Sequence, residues 1–314
     1  MRLLFIGASA LALAACGQGG DTASGEEDVV ALDTEKKAEA VETAENSKPS
    51  PGPQEKLAAV LATQSDDAKA RYGARHPEET LLFFGVKPGM TVVDTLPGDP
   101  WYSGILSEYL GPDGLVVGAD YSHDMWTYFQ GFADEEFLKA KEVWTTTWVE
   151  EMEAKREEGE APFAAFQYGS LPADMEGKAD VVLMVRAAHH FNRLEDEGEF
   201  FTSALADTMA VLKPGGVLGI VQHRAPEDAP DEWATGDAGY VKQTQIIAMA
   251  EAAGFEMVDS SEMNANPKDQ PTEGDFVWRL PPSLGTSRDN EELRAQMIEI
   301  GESDRMTLKF RKPA

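Results

Sequence analysis

The sequence predicts an α/β domain built on a doubly wound, mostly parallel sheet, preceded by an N-terminal tether without regular structure. Short apolar runs alternate with amphipathic segments from residue 77 onward, and turns rich in glycine and proline separate them. The apolar runs are nearly continuous, which is typical of parallel strands that are covered by helices on both faces. In such a sheet we expect ligands to bind at the carboxyl ends of the strands.

The composition excludes several classes of protein. Lysine and arginine number 27 against 56 aspartates and glutamates, so the formal net charge is −29. Nucleic-acid binding and adsorption to anionic lipid both need a basic surface, and neither is expected here. The single cysteine excludes an intramolecular disulfide and any site that needs two thiolate ligands.

The N-terminus has the form of a bacterial lipoprotein signal. Arg2 precedes an apolar run over residues 3–15, and small residues stand directly before Cys16. We therefore expect residues 1–15 to be a signal peptide and Cys16 to be lipidated, which would anchor the protein to a membrane of the cell envelope, facing the periplasm. An ordinary signal peptide and a buried strand with a chance cysteine are the alternatives.

A disordered acidic linker is predicted for residues 16–54. Gly, Ser, Thr, Ala, Pro and Glu dominate this stretch, which cannot bury enough apolar surface to offset its ordering entropy. The folded domain is then expected at residues 55–314. Within it, the Pro-rich stretch 263–304 is a long connection between the last two strands, and such connections are often functional, so we interpret it as a lid over the substrate.

The first elements of the domain follow from local signals. Pro77 suits the first position of a helix, which is expected to end near Gly85. Residues 90–94 form an apolar, β-branched run that ends in an acid, as do residues 115–120, and both are predicted strands. Between them, apolar residues at helical spacing over 102–109 predict a helix.

The later elements are predicted in the same way. A Lys-Pro-Gly-Gly sequence at residues 213–216 is expected to stop the helix before it. The remaining helices are expected at 124–158 (one helix or two), 205–212 and 246–253, and the strands at 163–167, 179–185, 217–221, 255–258 and 306–310.

The candidate site lies at the predicted strand ends. The loop after the first strand runs from Asp94 through Gly98 and Asp99 to Trp101, and its glycine and proline content lets backbone approach a ligand closely. It lacks the G-x-G-x-x-G pattern of a dinucleotide site, so an NAD-dependent oxidoreductase is not supported. Asp120 ends the second strand, where an acid can accept both hydroxyls of a ribose, although it could also be a helix cap or turn residue.

These residues resemble the class I S-adenosylmethionine-dependent methyltransferases, and more closely a group of predicted methyltransferases of which several are exported. The resemblance runs from about Asp66 to Pro313 and implies the Rossmann-like methyltransferase fold, S-adenosylmethionine as cofactor and a small-molecule acceptor. It is carried by motifs in this order: Arg75-His76-Pro77, Thr80-Leu81, Phe83-Phe84-Gly85-Val86-Lys87-Pro88-Gly89, Trp101-Tyr102, Leu212-Lys213-Pro214-Gly215-Gly216, His223-Arg224-Ala225, Asn264-Ala265-Asn266-Pro267 and Gly301-Glu302-Ser303-Asp304-Arg305-Met306. The cofactor-binding residues that it implies are Asp94, Gly98, Asp99, Trp101, Asp120, Tyr121 and Arg186.

The sequence also departs from the family's pattern. Leu96 and Pro100 occupy the outer two glycine positions of the loop, and proline there has no N–H to offer a ligand. Residues 167–170 lack the acid that usually meets the adenine amine, and Gln222 stands where this group often has aspartate. Since the cofactor is made in the cytoplasm and the protein is expected outside it, two interpretations remain: a methyltransferase, or a non-catalytic binding or scaffold lipoprotein of this fold.

His189 and His190 follow the fourth strand, where methyl acceptors commonly lie in this fold. A neutral imidazole could remove a proton from the acceptor, so both are candidate catalytic residues. The alternative is that one packs against the sheet and the other caps the next segment. A metal site formed with His223 is not expected, because adjacent histidines on one strand end should point apart.

Two further groups of residues have no assigned role. Arg71, Arg75 and His76 form a basic cluster that could hold a carboxylate of the cofactor or substrate, or could cap acidic neighbours. Three tryptophans within residues 124–158 are interpreted as core or lid packing: Trp126, Trp144 and Trp148.

Overall fold

The computed structural model describes residues 52–98, 100–129 and 131–314. The predicted signal peptide, the lipidation site Cys16, the linker up to residue 51 and the loop residue Asp99 lie outside the described residues. Within the described residues, no helix combines the length and the apolar character that crossing a membrane requires.

An eight-stranded sheet forms the centre of the domain. Its strand order is β3-β2-β1-β4-β5-β8-β7, with the short β6 paired to β5 off this path. Only β8 runs antiparallel to its neighbours among these pairs. The predicted doubly wound, mostly parallel sheet is therefore confirmed. Its strands are β1 Thr91–Thr95, β2 Leu115–Asp120, β3 Phe163–Gln167, β4 Ala179–Val185, β5 Leu212–Ala225, β6 Val241–Lys242, β7 Glu256–Ser261 and β8 Arg305–Arg311.

Helices cover both faces of the sheet. Successive residues of one strand enter opposite cores: Val92 packs in one hydrophobic cluster and Val93 in the other. This is the reason why the strands are continuously apolar rather than alternating. The described helices are α1 Pro53–Thr63, α2 Asp66–Lys69, α3 Tyr72–Arg75, α4 Pro77–Phe84, α5 Trp101–Leu110, α6 His123–Trp126, α7 Glu135–Glu142, α8 Trp144–Glu153, α9 Ala188–Asn192, α10 Glu195–Gly198, α11 Phe200–Val211, α12 Gln243–Ala252 and α13 Glu291–Ile300, with single 3₁₀ turns at Ala173–Met175 and Val277–Arg279.

The predicted helical stretch at residues 124–158 is divided into three helices. Ser122 caps α6 through its hydroxyl, and the chain then turns at Gly131, whose φ is +104°. Asp134 caps α7 by accepting a hydrogen bond from the backbone N–H of Phe137. Side-chain caps satisfy the free N–H groups of a first turn, so each cap begins a new helix where the sequence predicts one helix or two.

Other boundaries also differ from the expectation. Helix α1 begins at Pro53, inside the stretch expected to be linker, because a proline is well placed at the first helical position. Helix α11 ends at Val211, one residue before the predicted end, and residues 213–216 continue into β5 instead of forming a separate turn. Backbone hydrogen bonds with Lys312 hold this segment in place.

The 263–304 segment contains the Val277–Arg279 turn and α13, and it is tied down by buried polar groups. Asp269 and Arg279 form an ion pair at 2.8 Å, and both side chains are buried. The hydroxyl of Tyr240 donates to Asp269, which joins the segment to the residues before β6. Buried charges that are paired in this way oppose opening of the segment, since separating them leaves an uncompensated charge.

Candidate functional site

A cavity of about 240 Å³ opens at the carboxyl ends of β1 and β4. We call it the arginine cavity. It brings together four of the residues that the sequence predicts for the cofactor, Asp94, Gly98, Trp101 and Arg186, with two members of the basic cluster, Arg71 and Arg75.

The two strands that form this cavity end in the same way. Leu96 after β1 and Arg186 after β4 both take left-handed backbone conformations, with φ of +54° and +57°. Each N–H donates at 2.7 Å to a carbonyl of the neighbouring strand, Ala119 and Val221 respectively. The loop therefore keeps a turn that favours glycine although leucine stands there, and such backbone strain is common at binding sites.

Asp94 lies buried at the base of the cavity. The hydroxyl of Ser103, in the first turn of α5, donates to its Oδ2 at 2.6 Å. Burial raises the pKa of Asp94 to about 6, although the Ser103 hydrogen bonds work in the opposite direction. The carboxylate is thus poorly solvated, and a cationic ligand group beside it would be bound favourably.

A second cavity of about 300 Å³ opens beyond the ends of β2 and β3. We call it the β3 cavity. Tyr168 lines it and also makes a 2.8 Å hydrogen bond with Thr95 Oγ1, so the two cavities share a polar contact across the strand ends. Other lining residues are Ser122, Met125, Gly169, Ser170 and Phe191.

Asp120 ends β2 between these cavities, but its side chain is engaged inside the protein. Oδ2 accepts hydrogen bonds from Lys141 Nζ at 2.8 Å and from Trp126 Nε1 at 3.2 Å. The Lys141 ammonium also lies 4.2 Å from the centre of the Trp126 ring. Asp120 Oδ1 is buried and has no hydrogen-bond partner. Sequence reasoning missed Lys141, because nothing local indicates that α7 brings it to the end of β2.

Tyr121 and His190 form a buried pair. The Tyr121 hydroxyl and His190 Nδ1 are 2.7 Å apart, and the rings of Phe129 and Trp278 flank the imidazole at 5.5 and 6.4 Å. Burial lowers the pKa of His190 well below its usual value and raises that of Tyr121. Tyr121 lines neither cavity. These two side chains pack against each other rather than presenting groups to either cavity.

His189 has a defined tautomer. The amide nitrogen of Gln222 donates to the Gly239 carbonyl at 2.9 Å, so the amide oxygen faces His189 Nδ1, 3.1 Å away. Because this oxygen can only accept a hydrogen bond, Nδ1 carries the ring proton. His189 Nε2 then carries the lone pair, and it is buried without a partner. Burial lowers the pKa of His189 to about 3, so the ring is neutral at pH 7. His189 Nε2 is therefore unprotonated, although so low a pKa makes it a weak base.

The histidine rings meet rather than point apart, which corrects the expectation. The His189 and His190 centroids are 4.0 Å apart, and His223 lies 5.4 Å from His189. The reason is that the pair lies in α9, not on a strand end. Even so, no group of three or more His, Cys, Asp or Glu side chains suited to a metal ion occurs within the described ranges.

The other residues that the sequence singled out lie in different parts of the domain. His76 faces away from the arginine cavity, with its ring nitrogens beside the carbonyls of Met263 and Gly73. Trp278, from the 263–304 segment, packs 5.8 Å from His189, so this segment covers the histidines. Trp126 and Trp148 belong to different cores.

The chain is similar to several known methyltransferases. No family model matches the chain. An arsenite methyltransferase of Halobacterium salinarum is 28% identical over 234 residues, which is 72% of this chain and 50% of the relative, so the chain spans about half the length of the curated relative it matches. Two similar solved structures are a SAM dependent methyltransferase from Aquifex aeolicus (19% identity, 66% of this chain and 92% of that one, TM-score 0.41) and an arsenic (III) S-adenosylmethionine methyltransferase from Chlamydomonas reinhardtii (15% identity, 84% and 74%, TM-score 0.41). The sequence match to a methyltransferase agrees with the resemblance to class I methyltransferases.

Proposed function

We propose that this protein is an S-adenosylmethionine-dependent methyltransferase that acts on a small-molecule nucleophile. The observation that carries the proposal is the position of Asp120. It closes β2, which lies in the sheet between β1, whose end opens on the arginine cavity, and β3, whose end opens on the β3 cavity. A ribose held at Asp120 would place the two ends of an adenosyl cofactor in the two cavities.

The residues fit such a cofactor after one rearrangement. Asp94 suits the ammonium of the methionine end, and Asp120 Oδ1, which lacks a partner, suits a ribose hydroxyl once Lys141 withdraws. The β3 cavity offers aromatic and hydroxyl groups for the base. When bound, the cofactor supplies an electrophilic methyl group. The chain's own contribution is to bind and orient the cofactor beside the acceptor, because His189 is buried, lines neither cavity and has a pKa of about 3, too low for an effective base.

The acceptor is not proposed to be arsenite, the substrate in the relative's name. Trivalent arsenic is a soft centre that prefers thiolate ligands, as soft metals do. The described residues that line the two cavities include no cysteine, and the single cysteine of the chain, Cys16, lies outside the described residues. The acceptor is therefore proposed to be an oxygen or nitrogen nucleophile.

Cofactor binding is expected to release protons at pH 6. The pKa of Asp94 is raised to about 6 in the free protein, and an ammonium beside it favours the carboxylate and lowers that pKa. Binding at pH 6 should therefore release about half a proton, and affinity should rise as the pH increases from 5 to 7. Calorimetry of S-adenosylmethionine with the full chain, in two buffers of different ionisation enthalpy, measures both.

The Asp94→Asn variant is expected to bind more weakly and without the proton release. Asp113→Asn, which changes an exposed acid in a turn, should leave both unchanged. Absence of binding at millimolar cofactor, by a protein that still unfolds cooperatively, would contradict the proposed function.

A second candidate function is a non-catalytic binding or scaffold protein of the same fold. Two observations favour it: Lys141 and Trp126 already satisfy Asp120 Oδ2, and Pro100 has no N–H at the loop position where the family has glycine. In that case Lys141 is a permanent part of the structure, and the cofactor never replaces it.

We also propose that the protein is a lipoprotein, anchored to a membrane through Cys16 and facing the periplasm. The support is the sequence before Cys16, which is the only cysteine of the chain. The full-length protein is expected in the membrane fraction with a lipidated N-terminal peptide detectable by mass spectrometry, and Cys16→Ser is expected in the soluble fraction. Recovery of wild type and variant in the same fraction would show that Cys16 is not the anchor.

A further inference from the structure

Among the described residues around the arginine cavity, arginines outnumber carboxylates. Three guanidinium groups lie in or directly behind its wall, and two carboxylates lie near them. The guanidinium groups are those of Arg75, Arg186 and Arg305, and the carboxylates are those of Asp94 and Glu302.

Glu302 is fully used by two of the arginines. Arg75 Nε lies 3.1 Å from both of its oxygens, and Arg305 Nη1 lies 3.2 Å from Oε2. Three guanidinium nitrogens of this cluster are nevertheless buried without a hydrogen-bond partner: Arg75 Nη2, Arg186 Nε and Arg305 Nε. Arg75, which lines the cavity, is only 4% exposed. Buried donors without partners are costly, so an acceptor that binds beside Arg75 and Arg186 stabilises this cluster.

The arginines also repel one another. The pKa of Arg186 is lowered to about 10, mainly by burial and then by the charges of Arg75 and Arg305. Arg186 therefore remains charged at pH 7. Arg186 is held in this position by a left-handed backbone conformation after β4. Like charges that are gathered at a strained strand end are stabilised when an anion binds between them.

The cofactor of the proposed function does not neutralise this charge. Its methionine end contributes one carboxylate, but also an ammonium and the sulfonium that carries the methyl group. After the cofactor binds, the positive excess around Arg186 is therefore no smaller. A second ligand with its own negative charge is needed.

We propose that the methyl acceptor is an anion, a small molecule with a carboxylate or phosphate group, and that Arg186 and Arg75 bind this group in the arginine cavity. Guanidinium groups bind both of these oxyanions through paired, charge-assisted hydrogen bonds. The identification of this anion as the methyl acceptor rests on the proposed function, whereas anion binding itself does not. It identifies the substrate class as acidic and makes Arg186 a specificity-determining residue.

The test uses the full chain saturated with S-adenosylhomocysteine, with inorganic phosphate and malonate as probes in separate calorimetric titrations. Saturable binding of at least one probe is expected, and Arg186→Gln should weaken it about tenfold or more, the loss of one charge-assisted contact. The better probe distinguishes a phosphate-bearing from a carboxylate-bearing acceptor. Arg156→Gln removes an equal charge from a surface ion pair with Glu153 and should bind the probes as wild type does.

Three results would overturn the proposal: no saturable binding of either probe, equal weakening in Arg156→Gln, or displacement of the probe by S-adenosylhomocysteine. The last would mean that the arginines hold the cofactor's own carboxylate. Titration of the cofactor alone separates the two proposals. Cofactor binding without anion binding removes this proposal and leaves the proposed function. Anion binding without cofactor binding leaves the anion site, but removes the proposed function and the assignment of the anion as methyl acceptor.

Discussion

Replacing Asp120 by asparagine is expected to weaken S-adenosylmethionine binding about 100-fold or more, whereas Lys141→Met is expected to strengthen it. A hydrogen bond to a charged acceptor contributes about 1.5–3 kcal/mol, and a ribose can place two hydroxyls on one carboxylate. Asparagine keeps the size of the side chain and removes that charge. The variant should lose the affinity while its fold is retained.

Lys141→Met is expected to strengthen cofactor binding because Lys141 competes with the ribose for Asp120. In the free protein its ammonium donates to Asp120 Oδ2, so the ribose has to displace an existing ion pair. Methionine keeps the apolar stem against the Trp126 ring and removes the competitor, and affinity should rise about tenfold if the pair is worth about 1.4 kcal/mol. Removing one partner of a buried ion pair also lowers the stability of the free protein, so the melting temperature should fall and be restored by cofactor.

Calorimetry and thermal unfolding of the full chain measure both effects. Lys139→Met is the matched control, because Lys139 lies on the same helix but is exposed and pairs with Glu135. It should bind as wild type does. If Lys141→Met instead loses binding as Asp120→Asn does, Lys141 supports the site rather than occupying it. If neither variant nor wild type binds, the scaffold function is favoured.

The substitution Gly236→Ala is expected to destabilise the protein by about 4 kcal/mol, the sum of backbone strain and overpacking. Gly236 has a φ of +107°, and a Cβ placed there would lie 2.3 Å from the carbonyl oxygen of His189. That contact is with backbone, which cannot rotate away. The loop before β6 and helix α9 must therefore separate, which also displaces His189.

Gly215→Ala is the matched control for this prediction. Gly215 has a φ of +76°, but no atom lies within 4 Å of an added Cβ, so only the conformational cost of about 1 kcal/mol is expected. Urea unfolding of the two variants measures the difference. Equal losses of unfolding free energy would show that the approach of Gly236 to His189 is not a fixed contact.

Local patterns in the sequence were sufficient for the strands and for most of the helices. Val92 and Val93 predict a strand buried on both sides, and they do pack in opposite cores. Pro77 and Gly85 mark the two ends of α4, as expected. The hydrophobic periods of strands and helices and the residue preferences of turns involve only a few neighbouring residues, so a single sequence is enough to predict these elements. The position of ligand sites at strand ends then follows from the sheet.

Contacts between distant segments were decided only by the tertiary structure. Arg75 meets Glu302 across 227 positions of sequence, in the wall of the arginine cavity. Lys141 reaches Asp120 only because the caps of α6 and α7 divide a stretch predicted as one helix or two. His189 Nε2 is unprotonated only because Gln222 on β5 accepts a hydrogen bond from the other ring nitrogen. The sequence by itself thus determined the sheet and the strand ends, while the partners of each side chain depended on how helices and loops pack, since long-range packing leaves no local periodicity.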